Sequence, residues 1–407
     1  MATVTWRGDA KQVAQVNTVT PANVNIGNTF TVTINGKAVT FTATAATVAN
    51  VTAGLVALLQ ARTEGEFTEL TFTDSTTLIT ITANTAGKPF TQTSGATGGT
   101  ATNTTATATT SSGPNDVSVA ANWSGGAVPS STDDVIIDGD NDLLYNLDQN
   151  TISLTSLTIP STFTGKIGLP VEDEEGGYID YRDTYWKISA TTITIGRGSG
   201  SGSSRIKLNV GTVQTALTIH KTSRTASSGL GAVIFKGTHA SNVVNVISGT
   251  LSIAPFGGEV ATVATLRVSN ATVEVGSGVT LTTVTHTGVG LGTLLLSSAV
   301  TTLNQFPGSG NLTIVGSGAI TTLNCYAATT SYQGSGTITT LNVGDGATVS
   351  FDDNPIARTV TNTNLYPGCT LLDNAKTVTF SNAIAIPGGS IDDVTVKFGI
   401  GRTYGIT

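Results

Sequence analysis

Charged residues are scarce in this chain of 407 residues, where Asp, Glu, Lys and Arg together make up 11% against about 25% in typical soluble domains. The net charge is −7, and Lys and Arg form no basic run. The sequence therefore lacks the positive face of a nucleic-acid-binding protein, and we expect no nucleic acid among its partners.

Histidine and cysteine are also rare, with three and two copies. His220, His239 and His286 stand isolated among Thr and Val, which leaves little material for a catalytic triad or a histidine metal site. Cys325 and Cys369 lie 44 residues apart, and we interpret both as small buried fillers rather than as a disulfide.

The candidate carboxylate pairs are the sequence neighbours Asp352-Asp353 and Asp392-Asp393. Neighbours along a strand point to opposite faces, so neither pair suits glycosidase chemistry, and we interpret both as loop acids. The sequence therefore predicts a protein that is not an enzyme and has no cofactor.

Long apolar runs are missing as well. No run approaches the 18 or so residues that span a membrane, and the start, MATVTWRGDAKQVAQ, has no apolar core of a secretory signal. We expect a chain made in a cytoplasm without a cleaved signal and without a membrane partner.

What the chain has instead is a short strand pattern that recurs 18, 19, 20 and 18 residues apart. Its central apolar residues are Leu266, Val284, Leu303, Leu323 and Leu341. A period near 20 residues fits one coil of a β-solenoid, in which stacked coils align these side chains in one buried column. Glycine, with 47 copies, provides the turns.

Asn304, Asn324 and Asn342 follow the last three leucines directly and should form a second column on the opposite face. Two interpretations stay open. Stacked amides could hydrogen-bond along the solenoid axis and fix the register, or they could form a polar stripe that binds a ligand.

Residues 1–90 read as a separate α+β domain of ββαββ order. Strands over 30–34 and 39–43 flank Asn35-Gly36, a strong hairpin signal, and 46–62 has the 3.6-residue apolar period of a helix with Thr47 as its N-cap. Two further strands are expected over 67–72 and 78–83. The helix should cover one face of a four-stranded sheet.

Residues 91–113 contain almost no charge and no large apolar side chain, which predicts a linker or extended surface loops. Residues 114–407 then form the solenoid. The predicted fold class is thus mainly β, with a small N-terminal α+β domain followed by a parallel β-solenoid.

One inserted segment, 168–187, breaks the solenoid pattern. Four acids, Glu172 to Glu175, precede a group of aromatic and basic residues, the types that interfaces use as anchors. The interface candidates are Tyr178, Tyr181, Arg182, Tyr185 and Trp186. The alternative is an inserted hairpin whose aromatics pack over a coil edge.

Asp138, Asp140 and Asp142 alternate as in a calcium loop. Leu143 stands where an EF-hand needs glycine and Gln149 where it needs its bidentate acid, so that motif is excluded. A looser calcium site and an Asx-rich turn remain the two interpretations.

Asn122-Trp123-Ser124-Gly125-Gly126, with Pro129 and a following Asp133–Ile137 strand, resembles the first coil of β-solenoid surface and virion proteins, in which a Trp closes the stack. The N-terminal domain, from TVTWRGDA through FTVTINGKAVTFTATAATVANVTAGL, is similar in style to N-terminal domains of bacteriophage structural proteins.

This resemblance implies a non-enzymatic virion protein made in the host cytoplasm: a capsid decoration protein, head fibre or tail-associated adhesion protein. Expected partners are further copies in a homotrimer, the major capsid or other virion proteins through the N-terminal domain or 168–187, and a host surface glycan. A tailspike-type polysaccharide depolymerase and a bacterial surface adhesin are the alternatives.

Overall fold

The computed structural model describes residues 2–170, 180–290, 292–399 and 405. The protein is mainly β, with 47% strand and 7% helix, and its main body is a parallel β-solenoid of about 12 turns. The solenoid prediction is therefore confirmed.

The solenoid contains one strand from the chain start and all strands after residue 130. They are β1 (Thr3–Thr5), β9 (Asp134–Ile136), β10 (Asp148–Ile159), β11 (Lys166–Ile167), β12 (Trp186–Ile195), β13 (Arg205–Asn209), β14 (Ala216–Ile219), β15 (Val233–Lys236), β16 (Val243–Ile253), β17 (Ala261–Val275), β18 (Val279–His286), β19 (Thr293–Leu296), β20 (Ala299–Gln305), β21 (Asn311–Ile314), β22 (Ile320–Cys325), β23 (Thr329–Tyr332), β24 (Ile338–Val343), β25 (Thr348–Ser350), β26 (Arg358–Leu365), β27 (Thr370–Asp373), β28 (Val378–Phe380) and β29 (Thr395–Phe398).

These strands pair in parallel along two ladders that run the length of the solenoid. One ladder passes from β9 through β10, β12, β14, β16, β17, β18, β20, β22, β24 and β26 to β28. The other runs from β11 to β29 and shares the long strands β16 and β17. Each coil thus hydrogen-bonds only to its neighbours, as in other repeat folds.

The repeat residues form one buried column, as the spacing predicts. Leu303 pairs in register with Leu323, and Leu323 with Leu341, and all three are fully buried. The column continues beyond the recognisable repeat, through Val244 as far as Val135 at one end and to Thr363 at the other. A single core therefore extends through the stack.

Glycines in the turns let successive coils approach more closely than any other residue would permit. A Cβ added to Gly336 would lie 2.0 Å from the carbonyl oxygen of Gly318, and one added to Gly318 would lie 2.3 Å from the carbonyl carbon of Ser298. Heavy atoms cannot approach this closely, which explains the repeated Gly-Ser-Gly turns.

His286 occupies an inward position of a column that also contains the apolar residues Val246, Val268 and Val343. It pairs with Val268 on one side and Gln305 on the other and is fully buried. Within the described residues neither ring nitrogen has a hydrogen-bond partner. Burial lowers the pKa of His286 to about 4.

We expect this histidine to make the solenoid acid-sensitive. As pH falls from 6.5 towards 4, the unfolded chain gains a proton that the folded chain does not, so folding stability falls across this window by roughly 3 kcal/mol. His286→Leu should remove that loss. Denaturant unfolding at several pH values checks this, and an unchanged pH profile in the variant would contradict it.

The α+β domain is inserted between β1 and the first coil instead of preceding the solenoid. β1 pairs in parallel with β9, whereas an antiparallel bridge between Val13 and Ser112 closes the domain where the chain enters and leaves it. The predicted boundaries 1–90 and 91–113 therefore need correction. The domain extends from about residue 13 to residue 112.

Seven strands and two helices build this domain. They are β2 (Val16–Ala22), β3 (Thr29–Ile34), β4 (Lys37–Thr42), α1 (Val48–Gln60), α2 (Gly65–Thr68), β5 (Leu70–Asp74), β6 (Ile79–Ala83), β7 (Gln92–Thr97) and β8 (Thr102–Thr109). They form two antiparallel sheets, β5-β6-β2-β8 and β4-β3-β7, around a core separate from that of the solenoid. Among the described residues outside this domain, three short 3-10 helices lie at Ala120–Asn122, Ser124–Gly126 and Ile391–Asp393.

The hairpin β3-β4 and helix α1 follow the prediction. Asn35 and Gly36 have φ values of 48° and 85°, as a tight hairpin turn requires, and Thr47 Oγ1 accepts a hydrogen bond from the Asn50 amide. The single four-stranded sheet is wrong, however, because β5 and β6 pair with β2 and β8 in a different sheet from the hairpin.

The expected linker, 91–113, contains β7 and β8. Their side chains are mostly Thr, Ala, Ser and Gly, and only Asn103 is buried. Such strands show no alternation of large apolar and polar residues, and they are ordered by backbone pairing with β3 and β2.

Trp123 closes the first coil together with a tryptophan that sequence analysis did not pair with it. The rings of Trp6 and Trp123 meet edge to face with centroids 4.8 Å apart, and each residue is 2% exposed. Trp123 Nε1 donates to the Val117 carbonyl at 2.9 Å. The N-terminal end of the core is therefore covered by a tryptophan pair.

Candidate functional site

Two of the predicted interface residues join the two parts of this same chain. Tyr181 Oη donates to Glu69 Oε2 at 2.7 Å, and Arg182 Nη2 donates to the same oxygen at 2.6 Å. Arg182 Nε also donates to the Pro89 carbonyl at 3.2 Å. Glu69 and Pro89 belong to the inserted domain, so these contacts dock it against the solenoid.

Arg182 is held on several sides at this junction. Its Cζ lies 4.2 Å from the centroid of the Tyr181 ring and 5.6 Å from that of Tyr145, and its Nη1 pairs with Asp180 at 3.3 Å. Only 11% of its side chain is exposed. Such a planar, multiply bonded guanidinium fixes one orientation of the domain.

The charge of Glu69 is stabilised at the junction. Burial raises the pKa of the Glu69 carboxyl, but the hydrogen bonds from Arg182 and Tyr181 and the charge of Arg182 outweigh it, so the pKa lies below its ordinary value of 4.5. Burial and the bond to Glu69 raise the pKa of the Tyr181 hydroxyl. The junction is therefore charged at neutral pH.

We expect Glu69→Gln to lower the free energy of unfolding at pH 7 by about 1.5 to 3 kcal/mol, the value of hydrogen bonds to a charged group. The difference should shrink below pH 4.5, because a carboxyl with a lowered pKa stabilises the fold above that pH and loses its effect as pH falls through the folded-state pKa. Denaturant unfolding at both pH values measures this.

Glu64→Gln is the matched control, because Glu64 forms a more exposed pair with Arg62, and such pairs contribute little. Equal effects of the two substitutions at pH 7 would show that the Glu69 contacts do not hold the domain.

Tyr185 and Trp186 do not form an exposed contact surface, which corrects the interface prediction for both. Trp186, at the start of β12, is 1% exposed in the solenoid core, and Tyr185 is 5% exposed in a small cluster with Leu230 and Ile234. Lys236 Nζ lies 4.0 Å from the Tyr185 ring centroid. The alternation of apolar and polar residues in Trp186-Lys187-Ile188, at the start of β12, was the sequence signal that the Trp186 side chain points into the core. Tyr178 and the four acids lie outside the described residues.

A cleft of about 660 Å³ opens between the inserted domain and the first coils. Its walls include Asn35 and Phe90 from the domain and Asn146, Asp148 and Arg182 from the solenoid. The cleft thus borders the junction itself.

The three aspartates of the calcium hypothesis mainly stabilise turns. Asp138 Oδ1 accepts hydrogen bonds from the Gly139 amide and Thr162 Oγ1 at 2.8 and 2.6 Å, and Asp142 Oδ1 accepts from the Lys166 amide at 2.6 Å. Asp140 is exposed. In the described ranges no three His, Cys, Asp or Glu side chains group as metal ligands would. Calcium binding stays a prediction.

The asparagine column forms the axial ladder of the first interpretation. Asn324 Nδ2 donates to Asn304 Oδ1, Asn342 to Asn324 and Asn364 to Asn342, each at 2.7 Å. Asn364 extends the column by one coil beyond the three expected positions. These amides fix the register on the outward face of the strands.

An aromatic strip runs beside this ladder, two residues further along each coil. Phe306, Tyr326 and Tyr366 occupy the same corner of their coils, with Gly344 in the coil between the tyrosines. The rings of Phe306 and Tyr326 stack with centroids 5.4 Å apart and planes inclined by 25°. Sequence analysis missed this strip, although the recurrence of Phe306 and Tyr366, each before Pro-Gly, was a signal for it.

The carboxylate neighbours serve local structure, as expected of loop acids. Asp352 Oδ1 accepts from the Asn374 amide at 2.6 Å, Asp353 accepts from the Ser331 hydroxyl, and Asp393 caps the Ser390 amide at 2.7 Å. Both cysteines are free and buried, as expected.

Comparison with known proteins gives no assignment: no family model, no curated protein and no solved structure matches this chain. Among the described helices, none has the length and apolar character needed to cross a membrane.

Proposed function

We propose that the protein is a non-enzymatic structural protein of a bacteriophage particle, of the capsid decoration, head fibre or tail-associated adhesion type. The observation that carries this proposal is the docked layout: an inserted α+β domain is fixed by Glu69, Tyr181 and Arg182 to the first coils of a solenoid. About 12 turns at roughly 4.8 Å each give a rod of roughly 58 Å. A rod with a domain fixed at one end suits attachment and display.

Assembly follows from the same layout. The inserted domain attaches the rod to the major capsid or another virion protein. Three copies of the chain associate about an axis, because a charge-poor surface provides little repulsion between copies. The chain is made in the host cytoplasm and works in the virion. Light scattering tests the trimer, and a monomer mass at micromolar concentration would contradict it.

Gold-labelled antibody against the chain tests the location directly on purified particles. We expect label at one class of site, either the head surface or the tail. Intact, unlabelled particles from a lysate that contains the protein would overturn the proposal. A reducing-sugar assay on host polysaccharide separates the depolymerase alternative, because only an enzyme releases new reducing ends.

A further inference from the structure

We infer that the outward face from Phe306 to Tyr366 is a binding surface for a neutral polysaccharide. This inference deepens the proposed function and depends on it for its biological setting, since an adhesion protein needs a ligand. We call this surface the aromatic face and define it by Phe306, Tyr326, Tyr366 and the adjacent ladder of Asn304, Asn324, Asn342 and Asn364.

The aromatic side chains are exposed although the chain has few of them. Phe306, Tyr326 and Tyr366 are 37%, 40% and 40% exposed, whereas Tyr332 and Phe351, on the other ladder of the same coils, are fully buried. Exposed rings that recur at one corner of neighbouring coils form the kind of contiguous patch that marks an interaction site.

The rings form a band along the rod axis. Phe306 stacks on Tyr326, and the Tyr326 ring lies over Gly344, where an added Cβ would be 3.3 Å from Tyr326 Cδ1. Tyr366 follows on the next coil. Three steps of roughly 4.8 Å give a band roughly 14 Å long, which matches an extended chain of a few sugar rings.

The amide ladder provides the polar half of such a site. Each axial bond uses one of the two N–H donors of an asparagine and one of its two acceptor positions, so each amide in the ladder keeps a donor and an acceptor for sugar hydroxyls. Phe306 and Tyr326 cover part of each other's faces, and the slightly positive C–H groups of a pyranose pack against the negative ring faces that remain exposed. Rings and amides lie side by side, as a sugar with one apolar face and a hydroxylated edge requires.

Charge selects a neutral polymer over an acidic one. The outward residues beside the band are Thr and Asn: Thr302, Thr322, Thr340, Asn362 and the four ladder asparagines. The charges that border the band are acidic: Asp345 is exposed directly after Gly344, and the Gly368 amide, two residues after Tyr366, donates to the Asp393 carbonyl. A carboxylate there accepts hydrogen bonds from sugar hydroxyls and repels uronic or sialic acids.

A glycan array that carries neutral and acidic oligosaccharides, probed with the labelled full chain, tests this inference. We expect binding to neutral members, weakened roughly tenfold or more by Phe306→Ala or Tyr326→Ala, as for central aromatic anchors. Tyr326→Phe should retain binding because it keeps the ring. The matched control is Ile247→Ala, since Ile247 is 44% exposed at the corresponding corner of an earlier coil.

Binding to no neutral glycan, binding only to acidic ones, or parental binding by both alanine variants would overturn the inference. So would a change from trimer to monomer in those variants, because the band would then be an interface between copies of the chain. The glycan array measures binding independently of where the protein is located, and gold labelling measures location independently of what the protein binds. Failure of one proposal can therefore be distinguished from failure of the other.

Discussion

Leu323→Asp will unfold the middle of the solenoid and lower its free energy of unfolding by several kcal/mol. Leu323 is fully buried and paired in register with Leu303 and Leu341 on the adjacent coils. A carboxylate at this position would be unpaired in a dry core, and its desolvation is not compensated. Denaturant unfolding measures the loss, and amide exchange should increase first in β22 and its neighbours.

Thr321→Asp is the matched control, because Thr321 lies on the same strand but points outward and is exposed. We expect it to unfold like the parent. A Leu323→Asp variant as stable as the parent would show that the register of the coils is wrong.

Trp123→Ala will open the N-terminal end of the core and cost about 3 to 5 kcal/mol, the range for a large buried aromatic. The substitution leaves Trp6 without its edge-to-face partner and the Val117 carbonyl without the indole donor. Because coils contact only their neighbours, the loss should begin at the first coil. Amide exchange in β1 and β9 measures it.

Trp123→Phe separates packing from the hydrogen bond, since it keeps an aromatic ring but has no N–H. It should lose less stability than the alanine variant. If Trp123→Ala changed neither β1 nor β9, the tryptophan pair would not be the cap of this solenoid.

The sequence was sufficient for the solenoid because its repeat encodes a physical column. Leu303, Leu323 and Leu341 share an inward position, and the glycine turns between them are needed for close stacking. Helix α1 was likewise predictable from its period and its N-cap, although Leu58, one of the apolar residues that form this period, is 41% exposed.

The inserted domain was harder to predict because its decisive contacts are distant in sequence. β1 is only three residues long, and its partner β9 begins at Asp134, so no local pattern links them. β7 and β8 are ordered by backbone pairing with few buried side chains. Binary patterning cannot detect such strands.

The candidate sites, too, were only partly predictable from the sequence. Composition drew attention to 168–187, but residue type alone could not separate Arg182, which docks the inserted domain, from Trp186, which packs in the core. The aromatic face needs the register of the coils before its residues become neighbours, since Phe306 and Tyr366 are 60 residues apart.

We propose that this protein holds a ligand on its surface without converting it. The most direct test is to incubate the full chain with a neutral polysaccharide that it binds on the array, and to follow polymer length by size-exclusion chromatography with light scattering. The account predicts that the polymer elutes with the protein at its original length. A shortened polymer, or one that elutes apart from the protein, would contradict it.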